Sequence, residues 1–354
     1  MDAVTVIIPT FNRARLLPRA IRSALAAIDD GDAIIVVDDG STDDTPAVVQ
    51  PFLDRVRYER ISNRGPGAAR NHGIALATTP LIAFLDSDDE WFADKLRLQR
   101  QLLACRPDVV FCFSDFLLHE DESGREEHEY LRHWHGVLRP WSEILGPGVS
   151  YSSLTGLPPE RDDFLVHVGD LYSPLIEGPF VAAWTALVRR EMAGNALRFA
   201  EDIFVCEDWE CFARLSRVGK AAFMACETAI NHGHRGSRLT NTHNQFQLLA
   251  ARLMMTERVW GADPEFLAVH AERYEGIVAA IHVDRIKWLA SHGKTRAARL
   301  ELKAVRHPSR TARVIASLPG PVAHALGTSR RAAIALVHGA MHLIPLIASL
   351  WPDA

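Results

Sequence analysis

Leu81-Ile82-Ala83-Phe84-Leu85-Asp86-Ser87-Asp88-Asp89 runs five apolar residues straight into a carboxylate cluster. So short and apolar a run predicts a strand buried on both faces, as in parallel sheets. The acids fall where that strand ends, and open α/β sheets bind ligands beyond the carboxyl ends of their strands. Side chains two apart on an extended segment share a side, so Asp86 and Asp88 can face one site. Two carboxylates facing one site repel unless a cation or a proton joins them. A hard divalent ion that keeps some waters and takes phosphate oxygens suits such a pair. The plainer alternative is that one of these acids caps the next helix.

The same pattern recurs upstream. Residues 4–8 are a β-rich run that Pro9 stops, and Asn12 is placed to cap a helix over 14–28. A second apolar strand over 33–37 also ends in acids, Asp38-Asp39. Pro46 suits the first turn of a helix reaching about residue 52. A strand over 56–61, a loop over 63–67 and a helix over 68–77 lead into the Leu81 run, and a helix over 91–105 and a strand over 109–114 follow it. Strands alternating with helices predict a parallel sheet with right-handed crossovers, and they bring both acid-tipped strands to one rim.

From 119 to about 177 the periodicity fades and Pro, Gly, Ser and charge increase. That segment reads as a loop-rich insertion beside the site. Its histidines, His128, His133 and His135, match no metal-binding spacing. Order returns with a strand over 180–188, a helix opening at Cys206-Glu207-Asp208-Trp209 and ending at Gly219, and a strand over 221–225. A polar stretch follows over 231–241. Beyond Gln245 the pattern is helical, with a helix pair over 266–289 and 295–305 that turns at Ser291-His292-Gly293.

Residues 332–351 approach membrane length but contain His338, His342 and Pro345, with Arg330-Arg331 before them. They predict a packed or surface-seated amphipathic helix, with peripheral contact to the inner face of the cell membrane through 330–351 as a further expectation. The 354 residues carry a formal charge of −5, which does not suggest nucleic acid. The five cysteines form no C-x-x-C pair and read as reduced core residues of a cytoplasmic protein. A strand beginning by Val4 leaves no signal peptide ahead of it.

Taken together, these stretches resemble the family-two glycosyltransferases with a GT-A fold. The resemblance rests on Val6-Ile7-Ile8-Pro9-Thr10-Phe11-Asn12, on Val36-Val37-Asp38-Asp39-Gly40-Ser41-Thr42-Asp43, and on Gly65-Pro66-Gly67-Ala68-Ala69-Arg70-Asn71-His72-Gly73. It continues through the D-x-D of Phe84-Leu85-Asp86-Ser87-Asp88-Asp89 and the acidic Glu207-Asp208-Trp209, followed by Arg214 and Gly219. Each motif alone is weak, but five in order over about 240 residues are specific; the last 110 or so lie outside the resemblance.

It implies a mostly parallel sheet flanked by helices over 1–240, with a nucleotide-sugar half (1–118) and an acceptor half (119–240); the residue pattern itself adds a helical region over 241–354. The resemblance further implies an inverting transferase that moves a sugar from a nucleoside diphosphate sugar, UDP-sugar favoured, to a saccharide or lipid-linked glycan. The setting would be cell-surface polysaccharide synthesis. The leaving group's growing negative charge calls for a metal or cationic clamp. By resemblance Asp88 reaches a Mn2+ or Mg2+ ion, and Asp86 reaches the ribose or the metal. Asp39 contacts the base, and Pro9, Thr10, Phe11, Asn12 and Ser87 belong to the donor pocket. Arg70 is either a donor to nucleotide or phosphate or a partner in a surface salt bridge. Asp208 takes the proton of the acceptor hydroxyl, against the alternative of a helix cap. His232, His234 and Arg235 match a loop able to close over the diphosphate, with His234 as a third metal ligand. The competing readings are a nucleotidyltransferase and a non-catalytic nucleotide-sugar-binding protein. The first would place a Gly-rich basic loop where this chain has Thr10-Phe11-Asn12-Arg13.

Overall fold

A computed structural model describes residues 1–136, 139–159, 161–233, 245–305 and 310–317. The contacts divide the chain into two units, Met1–Leu239 and Thr240–Ala354.

The first unit is built on one mixed sheet. Its strands are β1 (Val4–Thr10), β2 (Ala33–Asp38), β3 (Arg57–Arg60), β4 (Leu81–Phe84), β5 (Glu90–Trp91), β6 (Val109–Glu120), β7 (Glu126–Glu127), β8 (Gly148–Ser150), β9 (Leu165–Gly169), β10 (Leu187–Arg189) and β11 (Lys220–Gly233). The order is β3-β2-β1-β4-β10-β6-β11-β9-β8, with β5 paired to β11 and β7 to β6. Strands β3, β2, β1 and β4 are parallel neighbours, so β2 and β4 end on one rim. Helices α1 (Leu17–Ala27), α2 (Thr45–Val49), α3 (Pro66–Leu76) and α4 (Lys95–Cys105) make the connections. All seven residues of β1 and all four of β4 are buried, as their unbroken apolar runs require. Helix α3 lies so close to β1 that a Cβ at Gly73 would stand 2.5 Å from Ile7 Cγ2.

Several expectations are corrected. β1 does not stop at Pro9; it runs to Thr10. The Ile7 carbonyl accepts from Leu85 across the β1–β4 ladder, and alternation turns the Pro9 nitrogen to that same side. The missing N–H therefore falls where β4 has already ended. Asn12 does not cap a helix: its φ is 52° and α1 begins at Leu17. Trp91 lies in β5, so α4 starts at Lys95 rather than at Trp91. The strand expected over 180–188 is confined to β10, which runs antiparallel between β4 and β6 and makes the sheet mixed. β11 continues through Gly233, so Asn231 and His232 are strand residues rather than loop. Cys105 is exposed rather than in the core.

The second unit holds helices Gln245–Thr256, Pro264–Ser291, Thr295–Ala304 and Arg310–Ser317. Asp263 caps Pro264–Ser291 by accepting from the backbone of Glu265 and Phe266. Ile286, Leu289, Ala298, Val305 and Ala312 form its buried core. Among the described residues no helix is long and apolar enough to cross a membrane. The stretch 330–351, with its expected membrane contact, lies outside the described residues, as do His234 and Arg235.

Candidate active site

The chain turns sharply after β4, with the Asp89 amide donating to the Asp86 carbonyl at 3.0 Å. Asp86 and Asp88 therefore sit in a turn rather than on an extended segment. They still feel one another: burial raises the Asp86 carboxyl above its ordinary value, the Arg70 guanidinium opposes that, and the Asp88 charge adds to the rise. Ser87 is buried in the turn. Asp89 faces the other way, accepting from Asn231 Nδ2 at 2.9 Å and from the His232 amide at 3.2 Å. Asp88 Oδ2 lies 3.5 Å from Arg13 Nε.

Arg70 joins this turn to a distant segment. It is 5% exposed on α3, so the surface salt bridge weighed from sequence is not what forms. Its Nη2 donates to Asp86 and its Nη1 to Glu207, each at 2.7 Å. Its Nε has no hydrogen-bond partner among the described residues. Both guanidinium ends are thus committed to protein carboxylates.

Glu207 and Asp208 open the helix Glu207–Val218, where acids suit the positive end of the helix dipole. The residue before them, Cys206, has φ 68°, the left-handed conformation that L side chains seldom adopt. It turns the chain so that the first helical turn faces Arg70. Burial raises the Asp208 carboxyl; Arg70 and the Trp209 amide, which donates to Asp208 Oδ1 at 2.7 Å, pull it down, and Asp86 pushes it up again. Burial and the Asp208 charge raise Glu207 against the pull of Arg70. Acids separated by more than a hundred residues therefore share one electrostatic cluster. Glu207, which from sequence is only a member of the acidic motif, anchors it. Its i to i+137 partnership with Arg70 leaves no local signal.

The loops after β1 and β2 lock together beside the cluster. Asn12 Oδ1 accepts from the Thr42 amide at 2.8 Å, and the Asn12 amide donates to Ser41 Oγ at 2.9 Å. Pro9 and Thr10 are buried, and Thr10 Oγ1 has no hydrogen-bond partner among the described residues. Phe11 is 43% exposed. Asp39 is buried and accepts from the amides of Arg64 at 2.8 Å and Gly65 at 2.7 Å. Gly65, at φ 90°, supplies the backbone shape that brings its N–H there. A cavity of about 490 Å³ opens beside this loop, lined by Ile61, Arg64, Asn71 and Glu201 among others. Asp86, Asp88 and Asp208 do not line it, so the acid cluster defines the candidate site.

The carboxylate pair fits a divalent ion by the chemistry of its donors: two oxygen ligands of like charge in one turn, the Asp88 charge raising the cost of ionising Asp86. His234, the expected third ligand, lies outside the described residues, and His232 is a buried residue of β11 rather than part of a loop.

A mixed sheet with acids on its carboxyl rim and a second acidic segment brought to them is a GT-A glycosyltransferase fold. The crystal structure of S. aureus TarS 1–349 in complex with UDP-GlcNAc superposes with a TM-score of 0.58 at 16% identity, covering 91% of this chain and 90% of that one. The family model for glycosyl transferase family 2 matches residues 5–145. The succinoglycan biosynthesis protein ExoU of Rhizobium meliloti is 44% identical over 99 residues, 26% of this chain and 28% of that protein. The GalNAc(5)-diNAcBac-PP-undecaprenol beta-1,3-glucosyltransferase of Campylobacter jejuni is 41% identical over 101 residues, 27% of this chain and 33% of that protein. The chain spans a third or less of the length of these curated relatives.

Proposed function

We propose that the protein is a metal-dependent, inverting glycosyltransferase. It moves a sugar from a nucleoside diphosphate sugar, UDP-sugar favoured, to a saccharide or lipid-linked glycan acceptor in cell-surface polysaccharide synthesis. One observation carries this reading: buried Arg70 ties Asp86, after β4, to Glu207, next to Asp208. Donor-side and acceptor-side carboxylates are thereby held in a single cluster. The names of the relatives support the acceptor class, since one serves succinoglycan synthesis and another is a glucosyltransferase named for a PP-undecaprenol glycan.

In this reading exposed Phe11, buried Pro9 and Thr10, and the loop tied by Asn12 and Asp39 receive the nucleotide. Asp88 and Asp86 hold a Mn2+ or Mg2+ ion, which when bound neutralises negative charge on the departing nucleoside diphosphate. Arg70 stands between both sets of acids. It keeps Asp86 and Glu207 in place and holds the surrounding charge near balance. Asp208 accepts the acceptor hydroxyl proton on its carboxylate, and burial, by raising its basicity, suits it to that task. The oxygen so freed attacks the anomeric carbon from the face opposite the leaving group, so no covalent enzyme intermediate is needed.

The test is Asp208→Asn, which keeps the shape but cannot take the proton. Acceptor-dependent transfer should fall about 10²–10⁴-fold while donor affinity stays within a few-fold. A helix cap alone would instead cost about 1 kcal/mol of stability and leave transfer largely intact. Near wild-type transfer by the folded variant would remove Asp208 as the base.

A further inference from the structure

β6 and β11 run parallel with His119 opposite His232 in the register, and the two imidazoles lie 5.5 Å apart. Asp121, two residues beyond His119, falls on the same side, and its amide continues the ladder to the Gly233 carbonyl at 3.0 Å. One ligand atom from each of His119, Asp121 and His232 lies within 4.8 Å of the others, the one such group of three among the described residues. The carboxylate of Asp88 is not part of it.

The remaining ring nitrogens are each held by a glutamate. His232 Nε2 faces Glu90 Oε2 at 3.1 Å, and His119 Nδ1 faces Glu126 Oε1 at 3.1 Å. Within the group His232 Nδ1 lies 2.8 Å from Asp121 Oδ1. A histidine that ligates a metal through one nitrogen and gives the other to a carboxylate has this arrangement. Among the described residues three carboxylates surround two imidazoles, and Arg19 lies 3.5 Å from Asp121. The surplus of negative charge suits a dication.

We propose that His119, Asp121 and His232 form a zinc-class metal site separate from the Asp86–Asp88 pair. Two imidazole nitrogens and one carboxylate oxygen favour zinc and its transition-metal neighbours, whereas magnesium prefers oxygen ligands alone. The ion cross-links the ends of β6 and β11. Because the His232 amide and Asn231 both donate to Asp89, it also steadies the far side of the Asp86–Asp89 turn.

The experiment strips the full-length chain with a chelator, reloads it with zinc, desalts it in excess magnesium, and measures bound zinc by mass spectrometry. Wild type and Asp88→Ala should retain about one zinc each. His119→Ala should lose it, and Glu126→Gln, which touches only the outer shell, should bind zinc about 10–100-fold more weakly. Cobalt loaded into wild type should give the visible bands of a four-coordinate ion and lose them on adding zinc, a readout that needs no variant to fold. Equal zinc in wild type and folded His119→Ala, or no cobalt bands in wild type, overturns the site.

Discussion

Two strands of this sheet end in acids on the same rim, and the two sets of acids are used differently. After β2, Asp38 accepts from the Ser41 amide at 2.7 Å and the Tyr58 hydroxyl at 2.5 Å, and Asp39 accepts from two backbone amides. After β4, Asp86 and Asp88 face guanidinium groups, Arg70 at 2.7 Å and Arg13 at 3.5 Å. Neutral donors at 2.5–2.8 Å fix the first loop, with the nearest guanidinium, that of Arg60, 3.9 Å from Asp38. Mobile or shared cations balance charge that another cation can take over. The first pair therefore builds the rim, and the second pair, with Asp208 beside it, is where chemistry is proposed.

The largest effect is expected at the link between these acids. Arg70→Ala strands Asp86 and Glu207 without their cation. Removing one partner of a buried ion pair costs about 3–5 kcal/mol. Urea unfolding should show a loss of that size, and Arg70→Lys should not restore it, because an ammonium cannot present two separated donors to two carboxylates. A loss under about 1 kcal/mol, the range of exposed pairs, would mean that the bridge does not organise the site.

A smaller loss is expected on the β2 side. Asp39→Ala leaves the buried Gly65 amide without its acceptor, at a cost of about 1–3 kcal/mol. Asp39→Asn keeps one acceptor oxygen and should recover part of it. Identical melting temperatures for Asp39→Ala and wild type would show that the amides find other partners and that Asp39 does not build the rim.

A third effect, read as a pH slope, concerns a buried cation that lacks a carboxylate. Lys95 is fully buried, donating to Gln99 Oε1 at 2.5 Å and to the Thr185 carbonyl at 3.1 Å. Burial lowers its pKa from 10.5 to about 7, with only the nearby Cys112 and Cys226 opposing. Between these two values the unfolded chain binds the proton and the folded chain does not. Its contribution is thus complete above the unfolded value and lost as pH falls through about 7. Wild-type stability should rise with pH across that window, on top of the other titrations, and Lys95→Met should remove that slope. An unchanged slope in Lys95→Met would assign the titration to other groups. The contrast with Arg70 is in the partner: a guanidinium between carboxylates stays charged, whereas an ammonium among neutral acceptors releases its proton.

The acid-tipped strands were legible because a short apolar run followed by carboxylates constrains both strand and rim. What the sequence pattern missed lies in tertiary pairing. β10 is three residues within a longer apolar stretch, and nothing local tells that it enters the sheet antiparallel between β4 and β6. Asn12 looked like a cap because its type favours caps, but the same short side chain tolerates the left-handed φ that ties two loops. The Arg70–Glu207 bridge and the His119–His232 register join residues more than a hundred positions apart. Periodicity carries no trace of such pairs, although the residue types at each end were visible.

The central claim is that the acids after β4 serve a cation-bound nucleotide. Calorimetric titration of UDP into wild type and Asp88→Ala, with and without Mn2+, tests it most directly. The account predicts that Mn2+ strengthens UDP binding to wild type and that Asp88→Ala abolishes the strengthening without lowering the melting temperature of the unliganded protein. Equal Mn2+-dependent binding of UDP by folded Asp88→Ala would contradict it.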